Sequence, residues 1–478
     1  MTRLRRIAEE EYVLVVLLAG FGVVFLLVFP PFLLVNDSWL TLVAGREVVE
    51  NGLPRHDELT VLGLGRPWTD QQWLAQVAIY GLHALGGHAL LAVATCAVVV
   101  TAFGLAFAGA RSLGAGPRAI WALFLPVLLA APWAWTIRAQ MLALPLYTGL
   151  LWLLAAEARR PSRRVWLAFP LLVVWANVHG SAALGALLVS LLGLHELVRS
   201  RGRPSPRSAA LVVLAPLAVL ATPYGPVATA RYYHLMLVDP PFAGRVTEWQ
   251  WASPAVDTLF FYVLIAIAIP VVFLGRRRLT LFDLGVLSLT LAGAVTAIRG
   301  IVWFALACLL LLPVAIGGRL EHQRPAPLRR HVNLALTTTL TVALLAVALA
   351  SLLRSPSWYE QEWPREPVEA VRAEIRPGDR VYAADRFADW LLWKLPVLRG
   401  RVAYDVRFEL YDEELFDRLQ RYASQESADW LSITDGYRVV VVDETFSSST
   451  DALLAASGAR AAYRSDELAV VVRPPVAP

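Results

Sequence analysis

The sequence has little charge. Only 17% of its 478 residues are Asp, Glu, Lys or Arg, whereas 57% are hydrophobic. Soluble globular domains carry about 25% charged residues, so this balance excludes an ordinary soluble protein. It also excludes an intrinsically disordered chain, because disorder requires low hydrophobicity. The composition therefore predicts a polytopic membrane protein, in agreement with a mean hydropathy of +0.55.

Lysine and cysteine are scarce as well. Lys394 is the only lysine among 43 basic residues, so the positive charge is almost wholly arginine. The two cysteines, Cys96 and Cys308, both lie in apolar runs. We therefore expect neither a disulfide framework nor a cysteine metal site.

Several familiar catalytic and transport motifs are missing. The sequence contains no Gly-rich loop ending in Gly-Lys-Ser/Thr, which argues against ATP-driven transport. It has neither a Gly-x-Ser-x-Gly elbow nor a His-Glu-x-x-His helix, which removes the simplest hydrolases and metalloproteases. Charged residues are rare at the midpoints of the apolar runs, where ion-coupled transporters usually need them.

Long apolar runs recur along the first three quarters of the chain. A bilayer core requires about 20 apolar residues per helix. We therefore predict an α-helical membrane domain at 1–353 with about eleven transmembrane helices. The predicted spans are 11–35, 88–110, 117–136, 139–157, 164–178, 180–199, 208–222, 257–275, 279–297, 300–317 and 332–353.

The arginines predict how the chain is oriented. One alternate set of connections is rich in arginine and should face the cytoplasm, together with the amino terminus. That set contains Arg3, Arg5, Arg6, Arg111, Arg118, Arg159, Arg160, Arg163, Arg164, Arg199, Arg201, Arg203, Arg207, Arg276, Arg277, Arg278, Arg319, Arg324, Arg329 and Arg330. The opposite connections are longer but hold few arginines. An odd number of spans then predicts an extracytoplasmic carboxy-terminal region.

Two outer segments are too long to be simple connections. The first outer loop, 36–87, is predicted to contain a helix at 70–85. Residues 354–478 contain short apolar runs at 381–384, 439–442 and 470–472, which are typical of strands. Helical spacing at 387–395, 412–423 and 450–457 alternates with them. We therefore predict an extracytoplasmic α/β domain at 354–478.

Polar residues gather at the outer ends of the predicted spans. Such residues are costly next to a membrane and are functional candidates by default. The candidate site residues are Asp37, Asp57, Asp70, Arg138, Gln140, Asn177, His179, Tyr224, Glu248, Trp249 and Arg299. Carboxylates, isolated arginines and a histidine on one membrane face suit an anionic, membrane-borne substrate and a hydroxyl or amine acceptor.

The residue types indicate separate roles. Asp37 directly follows the first long apolar run, where a desolvated carboxylate would be a strong base. Arg138 and Arg299 could grip a phosphate in bidentate fashion. His179 could donate a hydrogen bond to that phosphate or bind a metal, and the outer tryptophans could stack on a sugar.

Each assignment has a structural alternative. The tryptophans could belong to an interfacial aromatic belt, and His179 could simply bridge two helices. Arg138 and Arg299 could extend to the interface only to reach water. Asp57 and the neighbouring Glu58 could form an ordinary turn or helix cap. The sequence alone leaves these alternatives open.

The outer segments contain a set of recurring short patterns. The first loop reads Asp37-Ser38-Trp39, Gly45-Arg46, Gly52-Leu53-Pro54-Arg55-His56-Asp57 and Gly65-Arg66-Pro67-Trp68-Thr69-Asp70-Gln71-Gln72-Trp73-Leu74. Later segments read Arg138-Ala139-Gln140, Asn177-Val178-His179-Gly180, Thr222-Pro223-Tyr224-Gly225, Glu248-Trp249-Gln250 and Tyr404-Asp405-Val406-Arg407 with Tyr411. Together they resemble the C-type (GT-C) integral-membrane glycosyltransferases, in particular a bacterial subgroup.

The resemblance implies a transferase that takes a sugar from a polyprenyl-phosphate carrier at the outer leaflet of the bacterial plasma membrane. In such enzymes an acidic residue after the first span is the catalytic base, which corresponds to Asp37. A second acid in the first loop corresponds to Asp57, or less closely to Asp70. The chain departs from the pattern at Asn36-Asp37, where some relatives have two acids, and it lacks the Trp-Trp-Asp motif of oligosaccharyltransferases.

The leading hypothesis is therefore a glycosyltransferase that uses a polyprenyl-phosphate-linked donor. The predicted partners are that donor and membrane lipids, with no nucleic acid. A divalent cation held by Asp37, Asp57 and His179 is compatible with the sequence. The rivals are a flippase or transporter of lipid-linked saccharides and a catalytically silent membrane scaffold. The sugar, the acceptor and the oligomeric state are left open.

Overall fold

The computed structural model describes residues 11–238, 240–317, 327–425, 427–445, 449–455 and 458–474. Each predicted span contains a helix. These helices, with the two that lie between them in the chain, are α1 (Tyr12–Val28), α2 (Asn36–Asn51), α3 (Trp73–Ser112), α4 (Pro117–Ala130), α5 (Ala139–Arg159), α6 (Ala168–Val178), α7 (Ala182–Arg199), α8 (Pro206–Ala218), α9 (Gly225–Leu237), α10 (Leu259–Gly275), α11 (Leu281–Thr296), α12 (Ile301–Ile316) and α13 (Pro327–Leu352). Arg3, Arg5, Arg6, Arg319 and Arg324, used in the orientation argument, lie outside the described residues.

Six helices in the described part of the chain, counted with their adjoining turns, are long and apolar enough to cross a membrane: α3, α5, α7, α10, α12 and α13. Four shorter apolar helices, α1, α4, α8 and α11, lie among them. The mostly helical architecture and the membrane fold agree with the sequence prediction. The count of eleven spans stays a prediction.

The bundle is built around α12. This helix is buried from Ile301 to Ala315, as expected for a helix that is apolar on every side. By contrast, α10 and α13 expose large apolar side chains such as Phe273, Leu345 and Leu349. Outward-facing apolar residues are normal where the solvent is lipid rather than water. The helices therefore form a membrane bundle with α12 at its centre.

Several predicted boundaries differ from those in the structure for reasons of backbone chemistry. The first apolar run was expected to be helical to residue 35, but α1 ends at Val28 because Pro30 and Pro31 follow. The predicted helix at 70–85 and the span at 88–110 are two halves of α3. They are divided by a kink at Gly86 and Gly87, where Gly87 has a φ of 60°. The helices α2 and α9 were not predicted, because their apolar residues form no long run.

The carboxy-terminal part contains a small mixed sheet, as the sequence predicted. Its strands are β1 (Val381–Ala383), β2 (Val439–Asp443), β3 (Arg460–Arg464) and β4 (Leu468–Val472), in the order β1-β2-β4-β3. Strand β1 is parallel to β2, and the other two pairs are antiparallel. The exposed strand β3 was missed because it has no apolar run. The helices around the sheet are α14 (Pro356–Tyr359), α15 (Glu366–Glu374), α16 (Asp385–Lys394), α17 (Glu413–Ser424) and α18 (Ser449–Leu454).

The first outer loop packs directly on this sheet region. The backbone N–H groups of Val61 and Leu62 donate to the carbonyls of Val402 and Ala403 at 2.8 and 3.0 Å. Gly45 lets α2 approach α3 closely, because a Cβ there would lie 2.3 Å from the carbonyl oxygen of Gln76. The first outer loop is therefore fixed between the helical bundle and the sheet.

The single lysine completes this junction. Lys394 Nζ lies 2.7 Å from Glu360 Oε2, and its charge also lies 5.4 Å from the centre of the buried Trp39 ring. The other oxygen of Glu360 lies 2.7 Å from His88 Nε2. Burial works against the charge on Glu360, but the hydrogen bonds from His88 and Lys394 outweigh it and lower its pKa to about 2. Glu360 thus joins α3 to α16 through an ionised carboxylate.

Replacing Glu360 with Gln is expected to destabilise the fold by about 3 kcal/mol, because the charge on Lys394 would lose its nearly buried partner. Since folding lowers the pKa of Glu360, its ionised carboxylate stabilises the folded state fully above the pKa of the unfolded chain, near 4.3. This stabilisation is lost as the pH falls towards about 2. Thermal unfolding of the purified protein at neutral pH measures the effect. The exposed pair of Glu369 and Arg372 provides the control, and Glu369→Gln should change the apparent Tm little. Equal Tm values for Glu360→Gln and the unmodified protein would contradict the prediction.

Candidate active site

A cavity of about 1090 Å³ lies between the helical bundle and the sheet region. Its walls come from helix ends and connections on one side and from β1, β2 and the 404–409 segment on the other. Seven of the residues predicted from the sequence line it: Asp37, Arg138, Gln140, His179, Glu248, Trp249 and Arg299. A site of this size accommodates a drug-sized ligand with room for ordered water.

Asp37 and Arg138 are brought together by local backbone contacts. The Ile137 N–H donates to the carbonyl of Leu33 at 2.9 Å, which aligns the chain before Arg138 with the chain before α2. Ser38 accepts a hydrogen bond from the Val35 N–H at 2.9 Å and donates to the carbonyl of Ile137. Ser38 therefore caps α2 and also holds it against the segment that carries Arg138.

Arg138 joins two carboxylates. Its Nη2 lies 3.1 Å from Asp37 Oδ2, and its Nη1 lies 2.8 Å from Glu248 Oε1. The Arg138 residue is only 9% exposed, and its Nε has no hydrogen-bond partner among the described residues. The buried guanidinium is thus neutralised on one edge by the two acids, while its Nε–H is free to donate to a ligand.

The two carboxylates have opposite pKa shifts. Burial raises the pKa of Asp37, and the nearby charge of Glu248 adds to the rise, although Arg138 and Arg299 oppose it. Burial also works against the charge on Glu248, but Arg138 and Arg299 outweigh it and lower its pKa. A raised pKa makes Asp37 the more basic carboxylate of the pair, which is the property that a general base requires.

Arg299 supplies another positive charge on the bundle side of the cavity. Its guanidinium lies 4.3 Å from the centre of the Trp249 ring. Two backbone hydrogen bonds hold the segment after Trp249 against the end of α11 and the turn that carries Arg299. The Ile298 N–H donates to the carbonyl of Gln250 at 3.1 Å, and the Ala252 N–H donates to the carbonyl of Val295 at 3.0 Å. Within the described ranges Arg299 has no ion pair or hydrogen bond. Unlike Arg138, it therefore has no carboxylate within ion-pairing distance among the described residues, although its charge acts on Asp37 and Glu248 at longer range.

His179 is a neutral hydrogen-bond donor in this cavity. Burial lowers its pKa well below the usual range, and Arg299 and Arg138 lower it further. The backbone N–H of Ser181 donates to His179 Nδ1 at 3.1 Å, so Nδ1 is the acceptor nitrogen. The proton of the neutral imidazole consequently resides on Nε2.

One wall of the cavity is apolar. Leu184, Leu187, Met236 and Leu237 line it from α7 and α9. Leu187 is 53% exposed and Leu237 is 63% exposed, so these side chains border both the cavity and the outside of the bundle. The polar groups described above therefore lie close to an apolar surface that continues to the exterior.

Asp57 does not line the cavity. It is fully buried, and its Oδ1 lies 2.7 Å from Arg407 Nη2 and accepts the Leu59 N–H at 2.9 Å. Its Oδ2 accepts the Thr60 hydroxyl at 2.5 Å. Both oxygens are thus occupied by protein donors. The loop has room for this carboxylate because residue 63 is glycine, where a Cβ would lie 2.3 Å from Asp57 Oδ2.

Three further predicted residues lie behind the cavity wall. Asn177 accepts from Trp73 Nε1 at 2.9 Å and donates to the carbonyls of Val173 and Ala221. Tyr224 packs beneath the guanidinium of Arg55 at 5.2 Å. Asp70 accepts the Gln72 N–H at 3.3 Å, and burial raises its pKa to about 7. None of these three side chains lines the cavity.

The sequence analysis missed several acids in the opposite wall. Asp385 lies two residues after the end of β1, Asp443 ends β2, and Glu409 lies in the segment whose motif includes Arg407. These three acids and Arg407 line the cavity. Burial raises the pKa of Asp385, and Asp443 raises it further, while burial raises the pKa of Glu409 to about 7. The available signal was an acid directly after each of two apolar runs. This signal indicates a shared site only if β1 and β2 are parallel, because the carboxyl ends of the two strands then lie at the same edge of the sheet.

The divalent cation considered from the sequence requires Asp37, Asp57 and His179 to meet. Asp37 contacts Arg138, whereas Asp57 contacts Arg407 outside the cavity lining. No group of three or more His, Cys, Asp or Glu side chains in the described parts of the chain could hold a metal ion. The described residues therefore offer no ligand set of the kind proposed.

No protein-family model matches the chain. A search of curated proteins finds no match either.

Solved structures are more informative. The structure of ArnT from Cupriavidus metallidurans bound to undecaprenyl phosphate matches 97% of this chain and 99% of its own, with a TM-score of 0.53 at 14% identity. The apo structure of the same protein matches with a TM-score of 0.51 over the same shares of both chains, again at 14% identity. ArnT is a GT-C glycosyltransferase. The chain has the GT-C fold. Since the match covers nearly the whole chain, the GT-C fold includes both the bundle and the sheet region that enclose the cavity.

Proposed function

We propose that the chain is a GT-C glycosyltransferase that moves a sugar from a polyprenyl-phosphate-linked donor to an extracytoplasmic acceptor. The observation that carries the proposal is the cavity itself. A basic carboxylate, Asp37, lines the same cavity as Arg299, which forms no direct ion pair among the described residues, and an apolar wall beside them leads out of the bundle. Undecaprenyl phosphate bound to the fold neighbour ArnT supports a lipid phosphate as the ligand class.

The cavity matches the parts of such a donor. The wall of Leu187 and Leu237 suits the isoprenoid chain, because it is apolar and exposed to the surrounding lipid. Arg299 suits the phosphate, since a guanidinium binds phosphate oxygens in bidentate fashion. The Nε2–H of His179 and the Nε–H of Arg138 are further donors for the same group.

In the proposed reaction, Asp37 accepts the proton of an acceptor hydroxyl or amine. The acceptor atom then forms a bond to the anomeric carbon of the sugar. The bond between that carbon and the phosphate oxygen breaks, and its electron pair leaves with the polyprenyl phosphate. Arg299 and the Nε–H of Arg138 stabilise the departing charge.

The remaining acids receive other roles in this proposal. Glu248 stays ionised and holds Arg138 in place, as its lowered pKa favours. Asp57, which the resemblance implied as a second catalytic acid, instead supports the cavity wall, because both of its oxygens are bound by protein donors. Asp70, Asn177 and Tyr224 support the loop and helix ends behind the site.

We also propose that the protein resides in the bacterial plasma membrane with the cavity on the extracytoplasmic side. The arginine-rich connections then face the cytoplasm, as the positive-inside rule requires. The sheet region, which closes the cavity, then meets the acceptor from outside.

Transfer from a panel of radiolabelled donors tests this function. Membranes containing the full-length protein should release labelled product or sugar from at least one undecaprenyl-phosphate sugar, and membranes without it should not. A flippase would move the donor across the bilayer without breaking its phosphate linkage. A silent scaffold would do neither. Unchanged donor with every sugar of the panel, in the presence of a cell-envelope extract as acceptor, would overturn the proposal.

A further inference from the structure

A buried network surrounds Arg407 on the sheet side of the cavity. Its Nε donates to Asp405 at 2.8 Å, and its Nη2 lies 2.7 Å from Asp57. Tyr411 donates to Asp405 at 3.2 Å and lies 3.3 Å from the hydroxyl of Thr60. The network therefore joins the first outer loop to the 405–411 segment and fixes one guanidinium between them.

Part of this guanidinium remains unsatisfied. Arg407 is 2% exposed, and its Nη1 has no hydrogen-bond partner in the described portion of the protein. The ring of Trp68 also packs against it, because the guanidinium carbon lies 4.3 Å from the ring centre. A buried N–H without a partner is costly, and Arg407 lines the cavity. A ligand oxygen in the cavity would remove that cost.

The groups beside Arg407 indicate which kind of ligand would supply an oxygen to its Nη1. Asp385 and Glu409 line the same wall, and neither carboxylate forms an ion pair within the described residues. Tyr404 adds an aromatic ring to this wall. Both acidic side chains are acceptors for hydroxyl groups, and in their ionised form they repel an anion, so this wall suits the phosphate less well than the Arg299 side of the cavity does. A donor, two acceptors and an aromatic ring suit an uncharged group with several hydroxyls.

We propose that Arg407 binds the sugar of the lipid-linked donor, with Nη1 donating to a sugar hydroxyl, and that Asp57 and Asp405 are the positioning residues for this contact. The proposal rests on the proposed function and deepens it. It assigns the phosphate to the Arg299 side of the cavity and the sugar to the sheet side. It also explains why an acid of the first loop and an arginine more than 300 residues later both contribute to the site.

Binding measurements on the purified full-length protein test the assignment. The probes are undecaprenyl phosphate and a panel of undecaprenyl-phosphate hexoses, compared at equal detergent concentration. The unmodified protein should bind at least one hexose derivative more tightly than bare undecaprenyl phosphate. Arg407→Lys keeps the charge beside Asp57 and Asp405 but removes the fork. It should reduce the preference for the hexose derivative about tenfold, as expected for one lost hydrogen bond to a charged group, and leave the affinity for undecaprenyl phosphate within about twofold.

Two further variants separate recognition from folding. Asp57→Asn should reduce the same preference by a smaller factor, because Arg407 keeps Asp405. Arg399 also bridges the first loop and the sheet region, through Glu47 and Glu58, but it does not line the cavity. Arg399→Gln should therefore leave the preference unchanged. Retained binding of undecaprenyl phosphate shows that each variant is folded.

The outcomes distinguish the two proposals. If the unmodified protein binds neither undecaprenyl phosphate nor any hexose derivative, the proposed function fails. If it prefers a hexose derivative and the Arg407→Lys and Asp57→Asn proteins keep that preference in full, only the assignment of Arg407 fails. An equal loss of the hexose preference in the Arg399→Gln protein would also overturn the assignment of Arg407. The effect would then come from the contact between the first outer loop and the sheet region and not from the cavity.

Discussion

Asp37→Asn is expected to reduce sugar transfer roughly 100- to 10,000-fold while leaving binding of undecaprenyl phosphate nearly unchanged. The substitution keeps the size of the side chain but removes the group that accepts the acceptor's proton, and general-base catalysis contributes roughly 10²–10⁴-fold. Asp37 lies in the first turn of α2, where Asn is also well tolerated. Initial rates with a radiolabelled undecaprenyl-phosphate sugar and direct lipid binding measure the two quantities.

Two acids provide controls for this result. Glu47 lies on the same helix and does not line the cavity, so Glu47→Gln should retain full activity. Glu248→Gln should retain measurable activity but change its pH dependence. Because Glu248 raises the pKa of Asp37, removing its charge lowers that pKa, and the loss of activity on the acid side moves to lower pH. If Asp37→Asn remained active and Glu409→Gln did not, Glu409, with a pKa of about 7, would be the base instead.

The membrane bundle and the grouping of residues such as Asp37, Arg138 and Arg299 could be anticipated from the sequence. Long apolar runs define the helices, and alternate connections between them lie on the same face of the membrane. The few polar residues at the outer ends of the helices are therefore expected to lie close together. The proline and glycine positions at which α1 ends and α3 kinks are also visible in the sequence. The length of an apolar run does not by itself indicate such breaks, because Pro30 and Gly87 lie inside or beside runs that are otherwise continuous.

The difference between Asp37 and Asp57 could not be anticipated. Both are acids of the first outer loop, but Arg407 binds Asp57, and that contact joins residues 350 positions apart. Asp385 was missed for a related reason. Its place in the cavity depends on the parallel pairing of β1 with β2, and the apolar runs of two strands do not reveal which strands pair or in which direction.

The second large effect is expected at Arg299. Arg299→Gln should weaken binding of undecaprenyl phosphate by roughly 10- to 100-fold, because a charge-assisted hydrogen bond contributes about 1.5–3 kcal/mol and this guanidinium forms no direct ion pair within the described residues. Arg299→Lys should recover part of the affinity, since it restores the charge but neither the fork nor the stacking on Trp249. Titration of the purified proteins with undecaprenyl phosphate measures both variants.

The same substitution makes a second, independent prediction about Asp37. Arg299 lowers the pKa of Asp37, so its removal raises that pKa and moves the loss of activity on the acid side to higher pH, opposite to the shift for Glu248→Gln. Arg354 supplies a matched control, because its guanidinium lies 3.6 Å from the ring centre of Trp358 and outside the cavity lining. If Arg354→Gln weakened lipid binding as much as Arg299→Gln, the effect would belong to any outer arginine stacked on tryptophan. Opposite pH shifts for the two cavity variants, with no shift for Arg354→Gln, would instead identify Arg299 and Glu248 as the charges that set the basicity of Asp37.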